Sequence, residues 1–174
     1  MNHFELFGLP QDFELDIDQL EERYRELQRT FHPDKFANAS ALERRLAVQR
    51  AARINQAFHT LEQPLERARY LLELHGVDTD GERTKVDQAF LLEQMNLREA
   101  LAEIRNQPDP AAALSELTEE IRHRTESIVQ QLGEQFRDAS EHSLLAAREG
   151  VDKLMFLNKL QREADELHDE LLEY

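Results

Sequence analysis

The stretch Tyr24-Arg25-Glu26-Leu27-Gln28-Arg29-Thr30-Phe31-His32-Pro33-Asp34-Lys35 decides the architecture of the first half of this chain. Working back from it, Ile17, Leu20, Tyr24, Leu27 and Phe31 recur at spacings of three and four residues, which places them on one face of a helix. Asp16 stands where an N-cap belongs. Pro33 disfavours helical geometry for His32, so this helix is predicted to end near Phe31. Working forward, Ala47, Ala51, Ile54, Phe58 and Leu61 repeat the pattern, giving a second amphipathic helix across a short loop. Pro64 stops or restarts that helix, and Leu65 to Leu74 read as a further short one closed by Gly76. A helical turn is expected around Phe4 to Phe7, ahead of Gly8 and Pro10.

The second half reads as three longer helices. The first is predicted over about Lys85 to Asn106, with Thr84 as its cap. Gln107-Pro108-Asp109-Pro110 then breaks the chain, with Asp109 as N-cap and Pro110 in the first helical position. The second helix is predicted to reach about Arg137. Asp138-Ala139-Ser140-Glu141 looks like an acid-capped start for the third, which runs almost to Tyr174. Long helices with short connections pack antiparallel as a bundle. No segment shows sustained alternation of β-branched residues, and the fold class is all-α.

The 174 residues carry 21 Lys plus Arg against 36 Asp plus Glu, a net charge of −15. Residues 1–75 hold 10 basic and 13 acidic side chains, and residues 76–174 hold 11 and 23. The change coincides with Gly76-Val77-Asp78-Thr79-Asp80-Gly81, a cluster of turn formers. The expected organisation is a domain over residues 1–75, a linker over 76–84 and a second domain over 85–174. So acidic a chain repels phosphate backbones, and no nucleic-acid partner is expected. The absence of cysteine removes disulfides and thiolate metal ligands and is compatible with a reducing compartment. No apolar run approaches the ~20 residues that span a bilayer, and residues 1–10 have no secretory pattern. The expectation is a soluble, cytoplasmic protein without a membrane partner.

His32-Pro33-Asp34 is by itself a common helix-ending turn. Between two antiparallel helices, with Tyr24 and Leu27 upstream and Ile54-Asn55-Gln56-Ala57-Phe58 downstream, the segment resembles the J domain, the module that stimulates the ATPase of DnaK-type chaperones. The chemistry of the residues agrees. Pro33 presents the loop outward, and Asp34 offers an acceptor for a partner's arginine. His32 has two ring nitrogens open to bonding. Arg25 and Arg29 lie four apart on the face of the preceding helix opposite its apolar stripe. The resemblance implies that His32, Pro33, Asp34, Lys35, Arg25 and Arg29 meet the chaperone. Glu21, Glu22 and Glu26 thin the basic patch relative to the usual J domain, which points to a dedicated chaperone partner.

In the second half, Ala89-Phe90-Leu91-Leu92-Glu93-Gln94-Met95 with Leu97-Arg98-Glu99, and Lys153-Leu154-Met155-Phe156-Leu157-Asn158-Lys159-Leu160, resemble the C-terminal domain of the HscB family, J-type co-chaperones of bacterial iron–sulfur cluster assembly. Leu71-Leu72-Glu73-Leu74-His75-Gly76 does so too. Independently of that likeness, Phe90, Leu97, Leu101 and Ile104 form one helical stripe suited to a core, while Leu91, Leu92 and Met95 lie roughly 100–200° away from it. Two readings of that trio stay open: a partner surface, or burial against the first domain or linker. The resemblance assigns Leu91, Leu92, Met95, Asn96, Glu99, Glu103 and Phe156 to binding a client, the scaffold protein IscU. Asn96 stands where an acidic residue is expected. The function implied is stimulation of an HscA/DnaK-type ATPase and delivery of IscU to it. The alternative is a general J protein delivering unfolded clients.

Intrinsic catalysis is not expected. The seven histidines fall in no metal-binding spacing, His168-Asp169 lacks companion ligands, and no phosphate-binding glycine loop or nucleophile elbow occurs. The chain is expected to hold no metal, ATP or cluster of its own.

Overall fold

The computed structural model describes residues 1–81, 83 and 87–173 of the chain. Among these, all regular structure is helical, and the residues form two compact units, Met1–Gly76 and Val77–Tyr174.

The first unit contains α1 (His3–Leu6), α2 (Ile17–Phe31), α3 (Ala41–Glu62) and α4 (Pro64–Leu74). α2 starts where Asp16 accepts the Gln19 amide (3.1 Å) and stops at His32, whose ψ of 132° is the extended geometry that Pro33 imposes. α3 begins earlier than its apolar repeat, because Ser40 caps it by accepting the Glu43 amide (3.1 Å). The hairpin of α2 and α3 closes over Leu20, Ile54 and Leu61, all buried, each contributing roughly 1.5–3 kcal/mol of transfer free energy. Its register is set by Tyr24, which stacks on Phe58 (4.0 Å between centroids) and donates its hydroxyl to Asn55 Oδ1 (2.7 Å). α4 ends at His75, and Gly76 follows with φ +78°, a conformation that favours glycine and stops the helix. α1 is held by His3, whose ring stacks on Tyr70 and whose backbone amide donates to the Tyr70 hydroxyl (3.0 Å). Burial and nearby Arg53 hold the His3 imidazole below its ordinary pKa, against an opposing pull from Glu73.

One buried cation has no sequence signature. Arg67 is 6 % exposed, donates to the Leu61 carbonyl (2.7 Å) and lies over the Phe13 ring (4.7 Å). It ties the loop after α1 to the α3–α4 corner, and its burial lowers its pKa.

The second unit contains α5 (Gln88–Ala102), a 3₁₀ turn (Ile104–Asn106), α6 (Pro110–Asp138) and α7 (Glu141–Leu172). This is a three-helix bundle with Leu97, Ile104, Leu114, Leu117, Ile121, Leu157 and Leu160 in its core. Thr84 and Lys85, the expected cap and first residue of α5, lie outside the described residues, as does Tyr174. The described helix is capped by Asp87, which accepts the Phe90 amide (3.2 Å). Asp109 and Pro110 open α6 as expected. The α7 start differs. Ser140, and not an acid, caps it by accepting the Ser143 amide (3.2 Å), while Asp138 accepts from the hydroxyls of both serines, which lower its pKa. α6 and α7 approach closely at Gly150, where a Cβ would lie 3.1 Å from Leu132. The segment before α5 is pinned to α7: Arg83 makes a two-pronged pair with Asp152 (2.7 and 2.8 Å) and also donates to the carbonyls of Gly81 and Thr79. The Asp152 hydrogen bond raises the Arg83 pKa.

Candidate functional site

Two surfaces carry the residues singled out in the sequence, one on each unit. In the first, residues 32–40 form an ordered connection. Pro33–Phe36 make a 3₁₀ turn capped by His32, whose Nδ1 accepts the Asp34 amide (3.2 Å). Lys35 N–H donates to the His32 carbonyl (3.0 Å) and Ala39 N–H to that of Phe36 (3.0 Å). The two ring nitrogens of His32 are therefore not equally open. Nδ1 is occupied from within the turn, which makes Nε2–H the outward donor of the neutral ring. The turn aims the Asp34 carboxylate into solvent at 92 % side-chain exposure, 3.5 Å from His32 Nδ1. Arg25, Arg29, His32, Asp34 and Lys35 converge, with Gln28, around one open depression of about 620 Å³. Arg25 reaches Glu21 (3.3 Å), the acid one turn before it, and so part of its charge is compensated locally. Pro33 lies on the other side of His32, at the mouth of a groove between α2 and α3.

On the second surface, the environment of α5 explains which residues it leaves outside. Phe90 meets Phe156 edge-on (5.9 Å) and lies under Lys153 (5.8 Å), which also reaches Asp87 (3.7 Å). Arg98 pairs with Glu163 and covers the Phe156 ring (5.5 Å). On the other flank, Arg124 of α6 pairs with Glu93. These contacts fix α5 against α6 and α7 and turn Leu91, Leu92 and Met95 away from the core, at 40, 59 and 67 % exposure. Glu99 and Asn96 are exposed beside them, and Glu103, also exposed, accepts from Asn106 (3.1 Å). Leu92 and Asn96 border a depression of about 400 Å³ that reaches Glu120 and Arg124 of α6. Phe156 differs from the trio. It is half-buried and packed against the core, and it adjoins the patch beneath Arg98, which shares a stripe with Leu91. Arg98, Glu120 and Arg124 were not foreseen, because their placement depends on which helix packs beside α5.

Among the described residues no group of three or more His, Asp or Glu is placed to hold a metal ion, and no helix is long and apolar enough to cross a membrane. His123, His142 and His168 are exposed.

A capped His-Pro-Asp turn between antiparallel helices, followed by a three-helix bundle, defines a J-domain co-chaperone architecture. Comparison with known proteins narrows this. The chain is 47 % identical to a co-chaperone protein HscB homolog of Aeromonas hydrophila, across 99 % of both chains, and 43 % identical to one of Shewanella woodyi, across 99 % of this chain and 100 % of that one. Residues 86–165 match the family described as the HSCB C-terminal oligomerisation domain. Among solved structures, the chaperone HscB from Vibrio cholerae superposes with a TM-score of 0.89 at 43 % identity, covering 98 % of this chain and 99 % of that one. Human co-chaperone protein HscB superposes at 0.86 with 29 % identity, covering 95 % and 81 %. The chain belongs to the HscB co-chaperone family. The co-chaperone names of these relatives agree with a role that is not enzymatic.

Proposed function

We propose that the protein docks on an ATP-bound HscA/DnaK-type chaperone through the His32-Pro33-Asp34 turn and stimulates its ATPase, while its C-terminal bundle carries the iron–sulfur scaffold IscU and delivers it, in the cytoplasm. The observation that carries the first half is the convergence of Arg25, Arg29, His32, Asp34 and Lys35 on one open depression. Asp34, held at the tip of a hydrogen-bonded turn, presents a carboxylate suited to a two-pronged arginine contact. The basic side chains beside it suit an acidic approach surface on the partner. Support for the client role comes from the apolar trio Leu91, Leu92 and Met95, exposed and bordered by Asn96, Glu99 and Glu103, with Phe156 at its edge. Methionine suits an adaptable contact of this kind. One chain holding both partners makes their encounter nearly intramolecular, which is the physical advantage of the two-unit design.

The test is single-turnover ATP hydrolysis by an HscA-type chaperone, with and without this protein and IscU. The expected result is acceleration that is greatest with IscU present and is lost in His32→Gln. That variant keeps the fold, because His32 is exposed and packs in no core. Acceleration indifferent to IscU, together with retention of many unfolded chains, would instead favour a general co-chaperone. No acceleration by folded protein would remove the central reading.

A further inference from the structure

The segment expected to link the two domains, residues 76–84, is folded where it is described. Asp78 Oδ1 accepts the Asp80 amide (2.9 Å) and closes a turn. Gly81 sits tightly within it: a Cβ there would stand 3.0 Å from Asp78 Oδ2 and 3.5 Å from Arg148 of α7. Arg83 gathers the turn, donating to the carbonyls of Thr79 (2.9 Å) and Gly81 (2.6 Å), while its Nε and Nη2 make the two-pronged pair with Asp152 of α7. Arg148, one turn before Asp152, also donates to the Gly81 carbonyl (3.3 Å). Two α7 side chains four residues apart, and so on one face of the helix, therefore hold this segment.

Gly76 differs. Its amide donates to the Glu73 carbonyl (2.9 Å) as α4 ends, and its φ is +78°. A Cβ on Gly76 would meet no heavy atom within 4 Å among the described residues. The two compact units divide immediately after it, with Val77 already in the second.

Resting on the delivery role proposed above, we infer that Arg83 and Asp152 are positioning residues for the coupling of client to chaperone: their latch assigns residues 78–81 and 83 to the bundle and leaves Gly76 and Val77 as the joint. One chain that holds two partners couples them through the effective concentration its tether sets, and this falls roughly as the −3/2 power of tether length. Freeing residues 76–84 lengthens the joint from two residues to nine, a loss on the order of tenfold. The latch touches neither the His32-Pro33-Asp34 turn nor the Leu91, Leu92 and Met95 patch, so each binding surface keeps its own affinity when the latch opens.

The experiment uses the full-length protein in single-turnover hydrolysis by an HscA-type chaperone. For each variant it records the concentration for half-maximal stimulation with and without IscU, and the ratio of the two is the gain from the client. Wild type is compared with Arg83→Ala, with Asp152→Asn and with a chain carrying six Gly and Ser residues inserted between Gly76 and Val77. The expected result is that Arg83→Ala and the insertion each reduce the gain about five- to tenfold, with Asp152→Asn between them and wild type, because it keeps the Arg83 bonds to the turn. Half-maximal stimulation without IscU and the Kd for IscU should stay within about twofold of wild type throughout. Arg83→Ala combined with the insertion should lower the gain no more than about threefold beyond either alone, because both act on the same tether.

An undiminished gain in Arg83→Ala, or a combined variant whose two losses multiply, would overturn the inference. So would a loss of gain matched by weaker IscU binding or weaker stimulation without IscU, which would make the latch a support of the fold only. If wild type shows no gain from IscU, the delivery reading fails and takes the inference with it. If the gain is present in wild type, lost in Leu92→Ala with Met95→Ala, and intact in Arg83→Ala, only the inference fails.

Discussion

Truncating two residues of the exposed trio on α5 separates a partner surface from a displaced piece of core. Leu92 and Met95 are 59 and 67 % exposed, so little of either side chain is buried in the folded protein. Complete burial of a Leu or Met side chain yields roughly 1.5–3 kcal/mol, so the area still open on each offers a partner about 1–2 kcal/mol. Leu92→Ala with Met95→Ala should therefore weaken IscU binding by about 2 kcal/mol, or roughly 30-fold in Kd after the methyl groups retained by alanine are discounted. The cost to folding should stay within about 0.5 kcal/mol per site, the range for exposed positions, and the Tm should move by no more than a few degrees. Leu97, two residues beyond Met95 but 3 % exposed, supplies the opposite control. Leu97→Ala should cost about 2–5 kcal/mol of stability. Calorimetric titration of IscU and thermal unfolding by circular dichroism read the two quantities independently. A double variant that unfolds as early as Leu97→Ala, or that binds IscU with undiminished affinity, would refute the argument from exposure.

Two further outcomes follow from single contacts. Burial and, after it, Arg53 lower the His3 pKa in the folded protein, so the unfolded chain takes up this proton first; stability should be at full strength above pH 6.5 and decline as pH falls below it toward the depressed folded value. His3→Phe keeps a ring against Tyr70 and should flatten that part of the stability–pH curve in denaturant titrations; an unchanged curve would assign the slope to other groups. Arg83→Ala removes the two-pronged pair with Asp152 and the bonds to Gly81 and Thr79. It should raise amide exchange at residues 79–81 and 83 while costing about 1 kcal/mol overall, since both partners are near a third exposed. Exchange unchanged there would mean that the segment is held by other contacts.

The course of the helices was legible because their signals are local. Asp16 and Pro33 bound α2, Asp109 and Pro110 open α6, and a three-and-four spacing identifies a buried face wherever that face is packed. Where a signal was ambiguous, competing local acceptors decided the outcome: Ser140 caps α7 although Asp138 stands two residues before it, and Asp87 caps α5.

The His-Pro-Asp segment between two amphipathic helices, and the apolar residues off the core stripe of α5, were likewise determined by order along the chain. The tertiary structure alone decided what covers each face. Periodicity says that Leu91, Leu92 and Met95 point away from Leu97, but only the flanking contacts of Phe90, Arg98 and Glu93 with α6 and α7 leave them open to a partner. That packing also draws Phe156 partly into the core, while within the first unit the guanidinium of Arg67 is buried against the Phe13 ring and Nδ1 of His32 is occupied within its own turn. None of these has a sequence signature, because each depends on groups brought together by packing or by the backbone geometry of one turn, and a pattern of spacings records which face a residue occupies and not what that face meets.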